Sequence, residues 1–517
     1  MFFPEPFDFH YPDEGTYRNI SSSIQLKMSI GEHESGTFVY VPHEEGEIEV
    51  FANDLVGPGG TTLPKDLINV DVVSYMNRDR SLQYLQNIWL RGGVNRDVKA
   101  RSPILPMAIV PDEQEFLSKT TEAVGPIRLR EIDHARAQSR PGQGKQFWVT
   151  VHIPTIFNPP RLRSLYTGNL TLVAGNAGRW RVPIEVEVLN VRLDDLWSQH
   201  KHIGVFQAVD QFDAVFRDAV THDLTSHGVN GVFHRGATVA DYEYFKAHGI
   251  NFVINGDNLY LTAKKIRQIR DAGFYPFFYG FDEPNRTGKY DEHIAISRDI
   301  RNRGGLIGTS GSLDALQRIA AVAPQDWWNL SFATSWSPTD KVFAHLDDIR
   351  ADPRRKIATL ESVYPMTLLE LYPLNTRLLY GFWLFNSNLD GGFAWAYSND
   401  TRQVNPYTTT DWNGVAFPAE FYDAAGTLKR RKMLSSYAWE AFRNGAYDFR
   451  YAMTAKRLAA ERGTSAQRDQ FREAMRSYQR IFGEANSTRI DVVNSNGKVR
   501  ETRHELFDLI SELVSQP

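Results

Sequence analysis

From His202 onward, short apolar runs alternate with stretches whose apolar residues recur at helical spacing, and this limits the fold more than any other feature of the chain. The candidate strands are Ile203 to Phe206, Gly231 to Phe233, Phe252 to Ile254, Tyr275 to Phe281, Leu306 to Gly308, Asn329 to Ala333, Ile357 to Leu360 and Gly392 to Trp395. Helical stretches such as Ala263 to Ala272 and Glu292 to Asn302 lie between them. A strand followed by a helix and a further strand makes a parallel βαβ unit. Eight such repeats over roughly 200 residues are what a closed (β/α)8 barrel needs, and a doubly wound open sheet is the structural rival.

The chain of 517 residues is longer than one such barrel, which takes about 250. Its upstream part reads as β structure, with alternating segments at Thr37 to Val41, Glu47 to Phe51 and Phe147 to Ile153. Leu170 to Val173 and Val182 to Val188 flank Gly175 to Gly178, a hairpin signal. Val56 to Thr62, broken by Gly57, Pro58, Gly59 and Gly60, reads as a loop. Beyond Tyr422 the periodicity turns helical, over Lys429 to Arg443, Ala466 to Ile481 and Thr502 to Leu513. The expected architecture is multidomain α/β. A β-sandwich spans residues 1–194, a (β/α)8 TIM barrel 195–422 and a helical segment 423–517.

Composition removes several functions. The 58 basic and 62 acidic side chains leave a net charge of −4, which gives no footprint for nucleic acid or an anionic membrane. No apolar run approaches the ~18 residues of a membrane span. The first residues lack the basic and apolar segments of a signal peptide, so none is expected. The absence of cysteine excludes disulfides, thiolate metal sites and thiol nucleophiles, and is compatible with either redox compartment. The chain has no Gly-rich phosphate loop, no His-Glu-x-x-His and no Gly-x-Ser-x-Gly. His222 and His227, on an expected helix, read as surface or core residues, so no metal or cofactor is expected. The aromatic content (11 Trp, 22 Tyr and 31 Phe) supplies flat faces that suit sugar rings.

In a barrel of this kind the active site forms at the C-terminal ends of the strands. That rule selects Asp282 and Glu283 after the fourth strand and Glu361 after the seventh. It also selects Tyr279, His234, Arg235, Asn255, Asp257, Trp336, Trp395, Tyr397 and Asn399 as candidate substrate-binding residues, with Trp336 and Trp395 as sugar platforms. The fourth run, Phe277 to Phe281, is apolar and ends in two adjacent acids. A carboxyl crowded by apolar groups has its pKa raised, as a general acid at neutral pH requires. Acids after strands four and seven are the pair that many retaining glycosidases use as acid/base and nucleophile. A non-catalytic glycan-binding protein is the alternative from another class, but the paired acids argue against it. A lyase or isomerase would want a metal or a Lys/His base, and no convincing set is present.

The chain resembles glycoside hydrolase family 123 and related glycoside-hydrolase-like barrel proteins. The matching pieces are Phe281-Asp282-Glu283-Pro284, the run from Asp390 to Trp395 and the run from Glu440 to Asp448. Gly31-Glu32 and the segment Asn53 to Gly57 are similar to the sandwich that precedes such barrels. The order and spacing of these pieces, to about residue 455, carry the resemblance. It implies a retaining, substrate-assisted hydrolysis of a β-linked N-acetylhexosaminide such as an N-acetylgalactosaminide. In that chemistry Asp282 orients the 2-acetamido group and Glu283 protonates the leaving oxygen. An acid after strand seven is not part of that pattern, and Glu361 opens the two-carboxylate route on a sugar without the acetamido group.

Overall fold

The computed structural model describes residues 21–77, 104–119, 126–175, 178–206, 215–235, 237–256, 262–331, 357–362, 373–394, 397, 416–483 and 492–516, with residues 1, 3 and 6. Two sheets precede the barrel. One has the order Ile24–Ile30, Gly178–Arg192, Arg163–Ala174, Gly46–Phe51, Ala135–Ser139, with the short strands Leu55–Val56 and Thr62–Leu63 at its side. The other has the order Glu32–Tyr40, Lys145–Ile153, Ile68–Asn77, Ile104–Val110. Period-two alternation turns one side of each strand inward. Leu170, Leu172, Val182 and Ile184 of the first sheet therefore share one core with Phe38, Val70, Phe147 and Val149 of the second. The Gly175–Gly178 hairpin forms as expected, with Ala174 paired to Gly178.

All eight expected strands of the second region form. They are His202–Val205, Gly231–His234, Phe252–Asn255, Phe277–Tyr279, Leu306–Gly311, Trp327–Ser331, Ile357–Ser362 and Gly391–Ala394. Each pairs in parallel with the next, and the eighth pairs with the first, so the sheet closes on itself. Phe206, Phe233, Phe252, Phe277, Tyr279, Trp327 and Phe393 fill its interior as one aromatic cluster. Rings of this size need space beside them. A Cβ on Gly204 would stand 2.3 Å from the Phe393 ring, so the first strand carries no side chain there. The outward residues, such as Val205, Val253, Phe278 and Ile307, pack with the surrounding helices in a second, larger core.

The end of the chain departs from the expected helical reading. Leu428–Ser435, placed in a helix from its sequence, is a strand antiparallel to Ala416–Tyr422, which in turn pairs in parallel with Ile127–Arg130. It lies at the edge of that sheet and carries Lys429, Arg430, Arg431 and Lys432. Charged residues on an edge strand block further pairing, and they also mask the alternation that would reveal a strand. The helix starts only at Tyr437, where the Ser436 side chain accepts a hydrogen bond from the Trp439 amide (3.1 Å). This helix, Tyr437–Arg462, is buried along most of its length and joins the two upstream sheets to the barrel. On one side Tyr451 donates to Glu32 (2.7 Å), and on the other the Trp439 indole donates to Asp223 (2.9 Å) of the first barrel helix, Arg217–Ser226.

Candidate active site

The fourth barrel strand stops at Tyr279, two residues short of the expected end. Gly280 and Phe281 lead out of the barrel, and Asp282 and Glu283 form a tight exit before the short helix Pro284–Thr287. Glu283 takes the left-handed conformation (φ 37°, ψ 57°). Among the described residues it shares a positive φ, outside glycine, with His200 and Asn388 alone. This region is unfavourable for a residue with a Cβ, by roughly 1–2 kcal/mol, and is held only where surrounding contacts fix it. Here the Glu283 carbonyl accepts the amides of Arg286 (2.8 Å) and Thr287 (3.0 Å), and the Thr287 hydroxyl donates to the Asp282 carbonyl (3.1 Å).

The exit is also fixed from below. The Phe281 amide donates to Nδ1 of His293 (3.2 Å), and the Phe281 carbonyl accepts from Thr309 (2.5 Å). His293 is fully buried, and its Nε2–H donates to Gln325 (3.1 Å). Burial lowers its pKa to about 4, against the opposing effect of the Gln325 hydrogen bond. The ring is therefore neutral at ordinary pH, with Nδ1 free to accept the Phe281 amide.

At the rim, the Tyr279 hydroxyl lies 2.6 Å from Oδ1 of Asp282 and 2.5 Å from the Ser310 hydroxyl. Ser310 accepts from the Asn329 amide (3.0 Å), Asn329 Oδ1 accepts from Thr359 (2.7 Å), and Thr359 accepts from the Trp327 indole (2.8 Å). Register explains the set. Ser310 is the pairing partner of Asn329, and Asn329 of Thr359, so three neighbouring parallel strands bring three polar side chains into one buried row. Glu283 is half-buried and its carboxylate pairs with the exposed Arg286 (2.9 Å), a contact that solvent screens strongly.

Of the expected site residues, Tyr279, Asp282 and Glu283 come together. The apolar crowding expected around the two acids is not seen among the described residues. Phe277 points into the barrel and Phe278 outward into the helical layer, while Asp282 is exposed. Glu361 is the penultimate residue of the seventh strand, in register with Ser331 and Phe393, and its side chain lies outside the described residues. Trp336, Trp395, Asp257 and Asn399 also lie outside them. Four candidates are placed elsewhere, Asn255 and His234 by strand alternation. Phe252 and Ile254 point inward, so Asn255 points outward, fully buried beside Tyr242 on the helix Val239–Ala247. His234, likewise next to an inward Phe233, packs edge-on against Phe245 and donates to the Arg235 carbonyl (2.7 Å), while Arg235 is exposed. Tyr397 is fully buried and donates to Asp223 (2.6 Å), part of the contact between the barrel and the long helix. His227 is a satisfied core residue stacked on Trp439, and no cluster of metal-ligating side chains occurs among the described residues.

The sequence reading missed Ser310, Asn329, Thr359 and His293. For the three strand residues the usable signal was a polar side chain inside an apolar strand, since such a residue is buried only where it finds a partner, whereas His293 lies on the helix Tyr290–Asn302.

A comparison with protein-family models gives no match, and neither does one with curated proteins. Solved structures do match. A family 123 glycoside hydrolase from Clostridium perfringens, described for its hydrolysis of glycolipid glycans, aligns over 99% of this chain and 99% of its own, with a TM-score of 0.65 at 11% identity. This chain shares the fold of a family 123 glycoside hydrolase. A calcium-binding mutant of β-glucuronidase 2 from Bacteroides uniformis aligns over 77% of this chain and 47% of its own at 11% identity, but its TM-score of 0.29 carries no argument. The same holds for a ruminal family 26 endo-β-1,4-mannanase, with a TM-score of 0.27 at 8% identity over 71% of this chain and 84% of its own.

Proposed function

We propose that this chain is a retaining glycoside hydrolase, built as a (β/α)8 TIM barrel behind a β-sandwich, that cleaves a β-linked N-acetylhexosaminide such as an N-acetylgalactosaminide. The observation that carries the reading is the Tyr279–Asp282 hydrogen bond beside Glu283 at the fourth strand's exit. It holds one carboxylate in a set orientation next to a second carboxyl on a strained turn. The likeness of the whole chain to a family 123 fold supports the same assignment.

In this reading the 2-acetamido oxygen of the substrate attacks the anomeric carbon as the glycosidic bond breaks. Glu283 gives its proton to the departing oxygen. Asp282 accepts the acetamido N–H and stabilises the positive charge that develops on the cyclised intermediate. Water, deprotonated by Glu283, then opens that intermediate with net retention, so no enzyme nucleophile is needed.

A panel of aryl β-glycosides with and without the 2-acetamido group tests the proposal. The expected result is cleavage confined to the acetamido sugars, with the β-anomer as first product by NMR. Equal cleavage of a plain glucoside or galactoside, or no cleavage of any member, defeats it. Glu361, at the end of the seventh strand, supports a second reading in which it is the nucleophile and Glu283 the acid/base on a sugar without the acetamido group.

A further inference from the structure

We infer that Trp327, Thr359, Asn329 and Ser310 are positioning residues. They act through a one-way chain of hydrogen bonds that ends on Tyr279 and holds Asp282 as a fixed acceptor. The inference rests on the reading of Asp282 as the group that orients the substrate's acetamido N–H.

The direction of the chain follows from its two ends. The Trp327 indole N–H is a donor only, and a carboxylate is an acceptor only. Trp327 donates to Thr359 Oγ1, which leaves the Thr359 proton to pass to Asn329 Oδ1. The Asn329 amide group then faces Ser310 and donates to it. Ser310, whose oxygen is now an acceptor, gives its own proton to the Tyr279 oxygen, and Tyr279 gives its single proton to Asp282 Oδ1. Turning the Asn329 amide over reverses this order. Thr359 then faces two donors with no acceptor in the row. Ser310 must donate to Asn329, so the single Tyr279 proton leaves either the Ser310 contact at 2.5 Å or the Asp282 contact at 2.6 Å with no proton between the two oxygens. The observed arrangement places one proton in each of the five contacts of the row.

Two consequences follow for the reaction. Among the described residues the Asp282 side chain takes this one hydrogen bond, on Oδ1, which leaves Oδ2 to meet the substrate. The barrel strands, not the exit turn, set the angle at which it does so. Four of the five side chains behind Asp282 are fully buried (Ser310, Asn329, Trp327 and Thr359, each 0% exposed), so water does not compete for these bonds. A carboxylate turned by a fraction of an ångström still lets the sugar bind, but it meets the acetamido group poorly as charge develops. The cost therefore falls on kcat more than on KM.

The test uses the full chain and an aryl β-N-acetylhexosaminide. Thr359→Val keeps the shape of the side chain and breaks the row, and Ser310→Ala breaks it one step nearer the site. Each is expected to lower kcat about 10–100-fold with KM changed by less than about twofold. Thr359→Ser, which restores the hydroxyl, recovers most of the loss. Adding Thr359→Val to Tyr279→Phe costs nothing further, because the row acts only through that phenol. Wild-type kcat in both Thr359→Val and Ser310→Ala overturns the inference, as does a full additional loss in the double variant. If the wild-type chain cleaves no glycoside, the proposed function fails by itself. Crystal structures then decide the positioning role. An Asp282 carboxylate rotated away from Tyr279 in Thr359→Val, and restored in Thr359→Ser, supports it. An Asp282 unmoved in both overturns it.

Discussion

The His293 ring occupies the space that a side chain on residue 280 would need: a Cβ built on Gly280 would lie 2.2 Å from both Cε1 and Nδ1 of the ring. The strand can turn out toward Asp282 only because position 280 has no side chain. Gly280→Ala is expected to displace the ring, break its bond with the Phe281 amide and lower stability by about 1–3 kcal/mol. Urea unfolding measures this. An unchanged midpoint would mean that the ring moves without consequence.

Glu283 makes a second prediction through its backbone. Asparagine tolerates the left-handed region better than glutamate does. Glu283→Asn is therefore expected to unfold at the same or a slightly higher temperature than the wild type, while hydrolysis of a natural glycoside falls by about 10²–10⁴-fold. The loss shrinks for aryl leaving groups of low pKa, which need little protonation. Near wild-type turnover of a natural glycoside would remove Glu283 from the chemistry.

The pH dependence of stability follows from His293. Its folded pKa, lowered to about 4 by burial, lies below the ordinary value of 6.5. The unfolded chain thus takes up the proton first as pH falls. The stability tied to the neutral ring is fully present above about pH 6.5 and is lost progressively as pH drops toward 4. Its full size at neutral pH is roughly 3 kcal/mol. Comparing the pH profiles of unfolding for the wild type and His293→Gln isolates this contribution, and parallel profiles would show that His293 does not carry it.

Glu361 separates the two mechanisms. The substrate-assisted route predicts that Glu361→Ala keeps most activity and that a thiazoline analogue of the cyclised intermediate inhibits the wild type strongly. Rescue of an inactive Glu361→Ala by azide, with a glycosyl azide of inverted configuration as product, would instead identify a missing carboxylate nucleophile.

The strands were legible because their apolar runs are bounded by polar residues and glycines, and each of the eight formed within a few residues of its expected place. The site was less so. Asp282, Glu283 and Tyr279 could be picked from the rule that barrel strands end at the active site. That rule gives the end of a strand but not the side to which a residue points, and Asn255 and His234 point outward for that reason. Tyr397 was misread because its partner, Asp223, lies 174 residues away in the chain. The row from Trp327 to Ser310 depends on register between strands, which no local pattern contains. Leu428–Ser435 was misread because its four cations hide the alternation of an edge strand.

Arg503, on the final helix Val492–Ser515, pairs with Glu32 and Glu34 in the upstream sheet, and Glu32 precedes it by 471 residues. Ribosomal synthesis delivers the partners in that order, acids first. Until the arginine is present, burying Glu32 leaves a carboxylate without its cation, a state that costs several kcal/mol. The strand Ile127–Arg130 waits in the same way for Ala419–Tyr422. The packing of the upstream sheets is therefore completed only by residues far along the sequence, which raises the contact order of the fold and slows its folding.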